Sequence, residues 1–320
     1  MVSGILLVLC IIFGHSGSFA FWVDDLCYEG ESVYNYLQVS EDDDRVILST
    51  NVLFGVQSVL VKNDGLTGMY YDYAMAAPLM SDGIRKGGCD VLILGMGTGT
   101  YATQCNRYFE NINIEGVEID DKITRLAREY FELPESVCVT TYDGRAFLNA
   151  TDRKYDVIMV DAYQDITIPF QMSSVEFFTL VKDHLTENGV MVVNMNMRGS
   201  SEGNINQYLA DTISSVFPNV YTVDVIGSTN RELFASLNTD MIEVMRENAD
   251  YVTDSTLKMM LLNVMDNMTA YDAGNYIMTD DKAPVELLGM QVIDELINDE
   301  VKYYKKIYKE QGLKGLLNSL

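Results

Sequence analysis

Glu118, Asp143 and Asp161 each close a short apolar run, and a glycine turn, Gly95, Gly97 and Gly99, closes another. Runs of this length ending in glycine or acid read as buried strands, here Asp90 to Leu94, Asn113 to Glu118, Val137 to Tyr142 and Tyr155 to Val160. In an open α/β sheet the carboxyl ends of the strands form the ligand crevice, so the three carboxylates should converge beside the turn. Glycines there permit φ > 0 and let backbone amides approach a ligand with no Cβ in the way. Glu118, nineteen positions after Gly99, is placed to accept both hydroxyls of a ribose. The spacing is GxGxG, whereas a dinucleotide turn would need glycine where Thr100 stands. That favours an adenosyl sulfonium ligand over NAD. The competing reading is that Asp143 and Asp120 only cap the helices that follow them.

Such a crevice needs a doubly wound sheet to hold it, and the chain supplies one. The expected fold class is α/β, a doubly wound Rossmann-like methyltransferase sheet with a small N-terminal antiparallel β unit and C-terminal helices. Val33 to Ser40, Arg45 to Thr50 and Gly55 to Lys62 are β-type runs, separated by Glu41-Asp-Asp-Asp44 and Asn51 to Phe54. Met69 to Met80 reads as one tyrosine-rich helix. Ser173-Ser-Val-Glu176 reads as a capping box opening a helix that ends near Asn188-Gly189. A fifth strand covers Val190 to Asn196, a helix Ile205 to Val216, and a final strand pair Val220 to Ile226 and Glu232 to Leu237. Helices follow from Thr239 to Asn267 and from Val292 to Tyr308. The expected division is 1–20 leader, 21–68 β unit, 69–240 adenosyl-binding domain and 241–320 helical extension.

Met1 to Ala20 carries no charged side chain, runs apolar from Ile5 to Phe13, and ends in small residues before Phe21. It reads as a secretory signal peptide, too short to span a bilayer, which takes about 18 or more apolar residues. The expected location is therefore secreted or the secretory-pathway lumen. Asn149-Ala-Thr and Asn267-Met-Thr are then glycosylation sequons. Cys27, Cys89, Cys105 and Cys138 form one or two disulfides or are small buried hydrophobes, a Cys89 to Cys138 bond being excluded by the strand between them. The net charge of −25 excludes nucleic acid and anionic membrane as partners and suits a cationic ligand. After the leader only His184 remains, on a polar segment, so a histidine triad or metal cluster is excluded, and no metal is expected.

With these pieces in place, the chain resembles the spermidine synthase family, the aminopropyltransferase branch of the class I methyltransferase fold. Tyr34-Asn-Tyr36, Gln57 and Tyr70 to Pro78 are similar to its N-terminal unit and covering helix. Gly95 to Gly99, Val117-Glu-Ile-Asp120, Asp143-Gly144 and Asp156-Val-Ile-Met-Val-Asp161 match its glycine turn, ribose acid, adenine acid and catalytic strand in order. Ile168-Pro169 with Glu176-Phe-Phe178, and Thr279-Asp-Asp281 with Pro284-Val-Glu286, look like its divergent bacterial relatives and the spermidine-synthase-like methyltransferases. The resemblance implies S-adenosylmethionine or its decarboxylated form as cofactor, bound by Gln57, Gly95, Gly97, Gly99, Glu118, Asp143 and Gly144. It implies Asp161 as catalytic residue, with Tyr163 beside it, and Tyr71, Asp72 and Asp165 as substrate contacts. Tyr163 and Tyr71 are candidates to face the sulfonium, against the alternative that they only pack.

Three amine-holding groups of the family are missing. Thr98 replaces an aspartate in the turn, Ala76 a histidine in the covering helix, and Gln164 stands where a second aspartate is expected, with Asp165 one residue on. Methyl transfer, or an unusual acceptor, is therefore expected over spermidine formation from putrescine. The acceptor is a small cation or a protein, and a homodimer is one assembly the sequence allows. The alternative is a secreted binding protein that keeps the fold and nucleoside pocket without transferring, and a dehydrogenase is a distant third.

Overall fold

The computed structural model describes every residue except 1, 14–19, 21, 22, 24, 52–55, 64, 164–167, 197, 198, 200 and 318–320. Four antiparallel strands come first: β1 (Leu26–Glu31), β2 (Tyr36–Glu41), β3 (Arg45–Thr50) and β4 (Ser58–Val61), paired in that order. The β2–β3 turn is set by Asp42, whose side chain accepts from the amides of Asp44 at 2.8 Å and Arg45 at 2.7 Å. Alternation puts Leu37, Val39, Val46 and Leu48 on one face, where they pack on Ile123 and Leu126 of the helix Asp121–Tyr130. This small sheet is thereby fixed over the end of the strand that carries Glu118.

The main sheet contains β5 (Cys89–Leu94), β6 (Ile112–Glu118), β7 (Cys138–Thr141), β8 (Tyr155–Val160), β9 (Leu185–Met195), β10 (Asn219–Asp224), β11 (Arg231–Ser236) and β12 (Thr269–Ala270). Their order is β12-β10-β11-β9-β8-β5-β6-β7. β9-β8-β5-β6-β7 are parallel, while β10, β11 and β12 join antiparallel. The chain builds outward from β5 to β7, then crosses back to lay β8 on the other side of β5. The switch point, and with it the crevice, lies at the tips of β5 and β8. One apolar layer, with Tyr70, Met75, Val157 and Phe234, covers one face, and another, with Phe177, Phe178 and Leu209, covers the other.

Several elements depart from the sequence reading for local physical reasons. The first β run begins at Tyr36 rather than Val33, because Ser32 and Asn35 close a turn that leaves Val33 95% exposed, and β1 precedes it. The tyrosine-rich helix is two helices, Tyr70–Ala74 and Ala76–Met80. Pro78 has no amide proton, and its ring would clash with the Ala74 carbonyl in a continuous helix. No capping box forms at Ser173: Ser174 is the N-cap, accepting from Phe177 at 3.2 Å, and Glu176 instead accepts from the Asp280 amide at 3.0 Å. That helix ends at Asp183, and β9 begins at Leu185. The stretch after Thr239 divides into Met241–Asn248 and Ser255–Asn267, the second capped by Asp254. The last helix, Val285–Leu317, breaks at Gly312, where φ is 69°.

Cys27, Cys89, Cys105 and Cys138 are all unbonded; Cys89 and Cys105 are buried, Cys27 and Cys138 exposed. Among the described residues no helix is long and apolar enough to cross a membrane.

Candidate active site

The tips of β5, β6 and β8 and the N-terminal sheet enclose a cavity of about 230 Å³. Gly95 makes the enclosure close: at φ 85°, a Cβ there would lie 2.6 Å from the Asp161 carbonyl and the Ala162 backbone. Only glycine lets the two strand tips sit side by side. Gly97 lines the cavity and donates its amide to Glu118 Oε2 at 2.8 Å, while Glu118 Oε1 accepts from the Asp120 amide at 3.0 Å. Glu118 is 7% exposed, and burial raises its carboxyl above the usual range while the amides pull it back. Each oxygen keeps a lone pair for a ribose hydroxyl. Gly99 is not on the cavity wall. It starts the helix Thr100–Tyr108, and a Cβ there would strike Leu133 Cδ1 at 2.4 Å, so its role is packing.

Asp143 is both a helix cap and part of the cavity wall. Its side chain caps the helix Gly144–Ala150, accepting from the Ala146 amide at 2.8 Å, and it also lines the cavity with Gly144. Arg145 anchors that helix through a two-pronged pair to Asp280 at 2.6 and 2.7 Å, and Asp280 also accepts from the N-cap Ser174. The Thr279-Asp-Asp281 motif therefore holds the cavity wall from outside.

Asp161 lines the cavity and is held from two sides. Tyr70 Oη donates to its Oδ2 at 2.7 Å and Asn194 Nδ2 to its Oδ1 at 3.0 Å. Asn194 is oriented in turn by Asn230 Nδ2 at 2.8 Å. Burial pushes the Asp161 carboxyl up to about 7, opposed by its two hydrogen bonds and reinforced by the nearby Glu118 charge. A group poised there can accept a proton near neutral pH. Tyr163 contributes its ring to the wall, but its hydroxyl is committed, donating to the Asn194 carbonyl and accepting from the Asn196 amide at 3.0 Å. The geometry makes it a wall and brace rather than a proton-transfer group. Tyr71 lines the cavity, donates to the Gln57 carbonyl at 3.0 Å, and lies with its ring centroid 4.0 Å from that of Tyr70. Gln57 is on the wall as well.

A further sequence candidate, besides Gly99, does not join the site. Asp72 is 2% exposed and turned away, its carboxylate taken by the Thr67 amide and hydroxyl and the Gly68 amide at 2.7 to 3.0 Å, so it builds the turn before the helix. Asp165 and Gln164 lie outside the described residues. Thr98 and Ala76 are fully buried and off the wall, Thr98 with an unpartnered hydroxyl. Conversely Tyr70, Asn194 and Asn230 were missed. Tyr70 stands in the tyrosine-rich covering helix with nothing in its spacing to single it out, and nothing local marks the two asparagines. Among the described residues the wall carries three carboxylates, Glu118, Asp143 and Asp161, several tyrosines, and no lysine or arginine, a lining suited to a cation.

Comparisons with known proteins bear on the family and the fold. The spermine/spermidine synthase domain matches residues 69–226. Over 100% of its length the chain is 53% identical to a probable polyamine aminopropyl transferase of Bifidobacterium longum, covering 75% of that protein. It is 24% identical to a polyamine aminopropyltransferase of Vibrio vulnificus over 75% of this chain and 81% of the relative. A spermidine synthase solved with the transition-state analogue AdoDATO shares the fold, with TM-score 0.59 and 17% identity over 74% of this chain and 84% of that one. So does a probable spermidine synthase from Corynebacterium glutamicum, with TM-score 0.56 and 18% identity over 78% and 96%.

These relatives correct the expected location. The bacterial aminopropyl transferase aligns along the whole chain, residues 1–20 included. On that kinship the secreted or lumenal assignment falls. Asn149 and Asn267 both sit in helices, each amide nitrogen donating to a carbonyl one turn back, Arg145 at 2.9 Å and Asn263 at 2.8 Å. An apolar run and two tripeptides carry too little information to fix a compartment.

Proposed function

This chain belongs to the spermine/spermidine synthase family, and from that premise we propose that it is a polyamine aminopropyltransferase, taking decarboxylated S-adenosylmethionine as donor and a small polyamine-type amine as acceptor. The observation that carries the reading is Asp161, a carboxyl pushed up to about 7 by burial and hydrogen-bonded by Tyr70 and Asn194, in a cavity with no basic residue on its described wall.

The transfer is a displacement at the carbon next to a sulfonium. The acceptor nitrogen's lone pair forms the new C–N bond, the C–S bond breaks, and the sulfur leaves as a neutral thioether. The nucleophile must be an uncharged amine, whereas a free alkylamine is protonated at neutral pH. Asp161 Oδ2, beside Tyr70, is placed to hold the ammonium and take its proton. Glu118 and Asp143 are the residues to hold the nucleoside, at the ends of two neighbouring strands. Catalysis then rests mainly on holding nucleophile, carbon and leaving group in line.

Kinship supports aminopropyl over methyl transfer, against the expectation drawn from Thr98, Ala76 and Gln164. Thr98 and Ala76 are buried off the wall, so in this chain the amine contacts fall to Tyr70 and Asp161. Calorimetry against decarboxylated S-adenosylmethionine, S-adenosylmethionine and methylthioadenosine tests the donor assignment. Tighter binding of the decarboxylated donor than of S-adenosylmethionine is expected, and the reverse order would support methyl transfer.

A further inference from the structure

Glu232 is the one strongly buried acid, among the described residues, that the transfer chemistry and the hydrogen-bond framework both leave unused. It lies on β11 directly opposite Asn194 of β9, so the two side chains share a face of the sheet. Asn194 in turn holds Asp161. Asp161, Asn194 and Glu232 therefore form a polar row across three neighbouring strands, β8, β9 and β11, on the face covered by the helix Tyr70–Ala74. Residues 192 and 234, two places along on β9 and β11, belong to the apolar layer on that face.

Glu232 is 0% exposed, and neither Oε1 nor Oε2 has a hydrogen-bond partner. Burying a carboxyl this way is costly in either protonation state, and far more so when it is charged. Glu232 feels the Asp161 charge, and its own charge acts on Tyr163 at the cavity and Tyr101 of the helix Thr100–Tyr108. Tyr70, over the same face, is committed to Asp161. Its chain neighbour Arg231 is committed to Asp224 at 2.6 Å, so no cation among the described residues neutralises it. Burial and the Asp161 charge both raise its carboxyl well above the usual range. It is a reserve of negative charge one side chain behind the cavity wall.

We propose that Glu232 is a specificity-determining residue: it supplies, from behind Asp161 and Asn194, the second negative charge that a diammonium acceptor requires and a monoammonium acceptor does not. The proposal rests on the aminopropyl-transfer reading. With one ammonium in the cavity, ionised Asp161 balances it and Glu232 stays neutral. With two, the added field ionises Glu232, whose proton is released to solvent. Glu232 touches no reacting atom and acts through the low dielectric of the buried row, where charges interact far more strongly than in water.

The test uses the full chain saturated with methylthioadenosine, titrated with 1,4-diaminobutane or 1-aminobutane at pH 8 in buffers of different ionisation enthalpy. Wild type should release more protons on binding the diamine than Glu232→Gln does, by up to about one, the limit for a single carboxyl. The two proteins should match with the monoamine. In turnover, Glu232→Gln should raise KM for the diamine about tenfold, the effect of weakening one partly screened charge interaction, with little change in kcat. Glu232→Asp, which keeps the charge, should restore much of the loss, and it carries the comparison should Glu232→Gln not fold. Equal proton release and an unchanged preference between the two amines would overturn the role of Glu232 alone. Failure of wild type to bind the diamine, with methylthioadenosine bound, would overturn the acceptor assignment and this proposal with it.

Discussion

Tyr70 donates its hydroxyl to Asp161 Oδ2 at 2.7 Å, tying the covering helix to the tip of β8 across 91 residues of sequence. The bond favours the ionised carboxylate against the burial that opposes it. Tyr70→Phe removes it while keeping the ring that stacks on Tyr71. A hydrogen bond to a charged group contributes about 1.5 to 3 kcal/mol, so kcat/KM for transfer should fall roughly ten- to hundredfold near pH 7. The loss should shrink toward pH 9, because the variant's Asp161 ionises later. A pH-independent loss would mean that Tyr70 acts on the substrate and not through Asp161.

The position of Asp161 near 7 sets the pH dependence of the reaction. The base must be ionised, so kcat/KM should climb about tenfold per pH unit below 7 and level off above about 8. Stability runs the opposite way. The folded value is raised above the unfolded one, near 3.9, so the folded state binds more protons between them and stability falls as pH rises through that window. Asp161→Asn should flatten this decline and melt higher than wild type at pH 8, as thermal unfolding from pH 4 to 9 would reveal. A steeper decline in the variant would refute the raised value.

Glu118 is held by the Gly97 and Asp120 amides, so Glu118→Gln must set its NH₂ against one of two backbone donors. Methylthioadenosine should bind about 1 to 3 kcal/mol more weakly, with a smaller drop in stability from the disturbed turn. Unchanged affinity would remove Glu118 from the nucleoside site.

What the sequence made legible here is what depends on local periodicity and on strand order. Apolar runs ending in acid, with a glycine turn, are enough to bring Glu118, Asp143 and Asp161 to one crevice, because a doubly wound sheet has few ways to close. The partners of Asp161 are not written locally. Asn194 reaches it only because β9 lies beside β8, and Glu232 faces Asn194 only through the antiparallel register of β11. Asp72 misled for the opposite reason, since an acid four residues after Gly68 is as well explained by a turn as by a site, and the turn claims it. The covering helix divided where Pro78 required it, a rule the sequence stated and the apolar run obscured.

The central claim is tested most directly by incubating the protein with decarboxylated S-adenosylmethionine and 1,4-diaminobutane and following products by mass spectrometry, wild type beside Asp161→Asn. The account predicts methylthioadenosine and an aminopropylated diamine in equal amounts from wild type. General-base assistance of this kind contributes about 10² to 10⁴-fold, so the variant should be slower by a factor in that range while nucleoside binding persists. A wild-type protein that binds methylthioadenosine yet forms no aminopropylated product, or an Asp161→Asn variant as active as wild type, would contradict it.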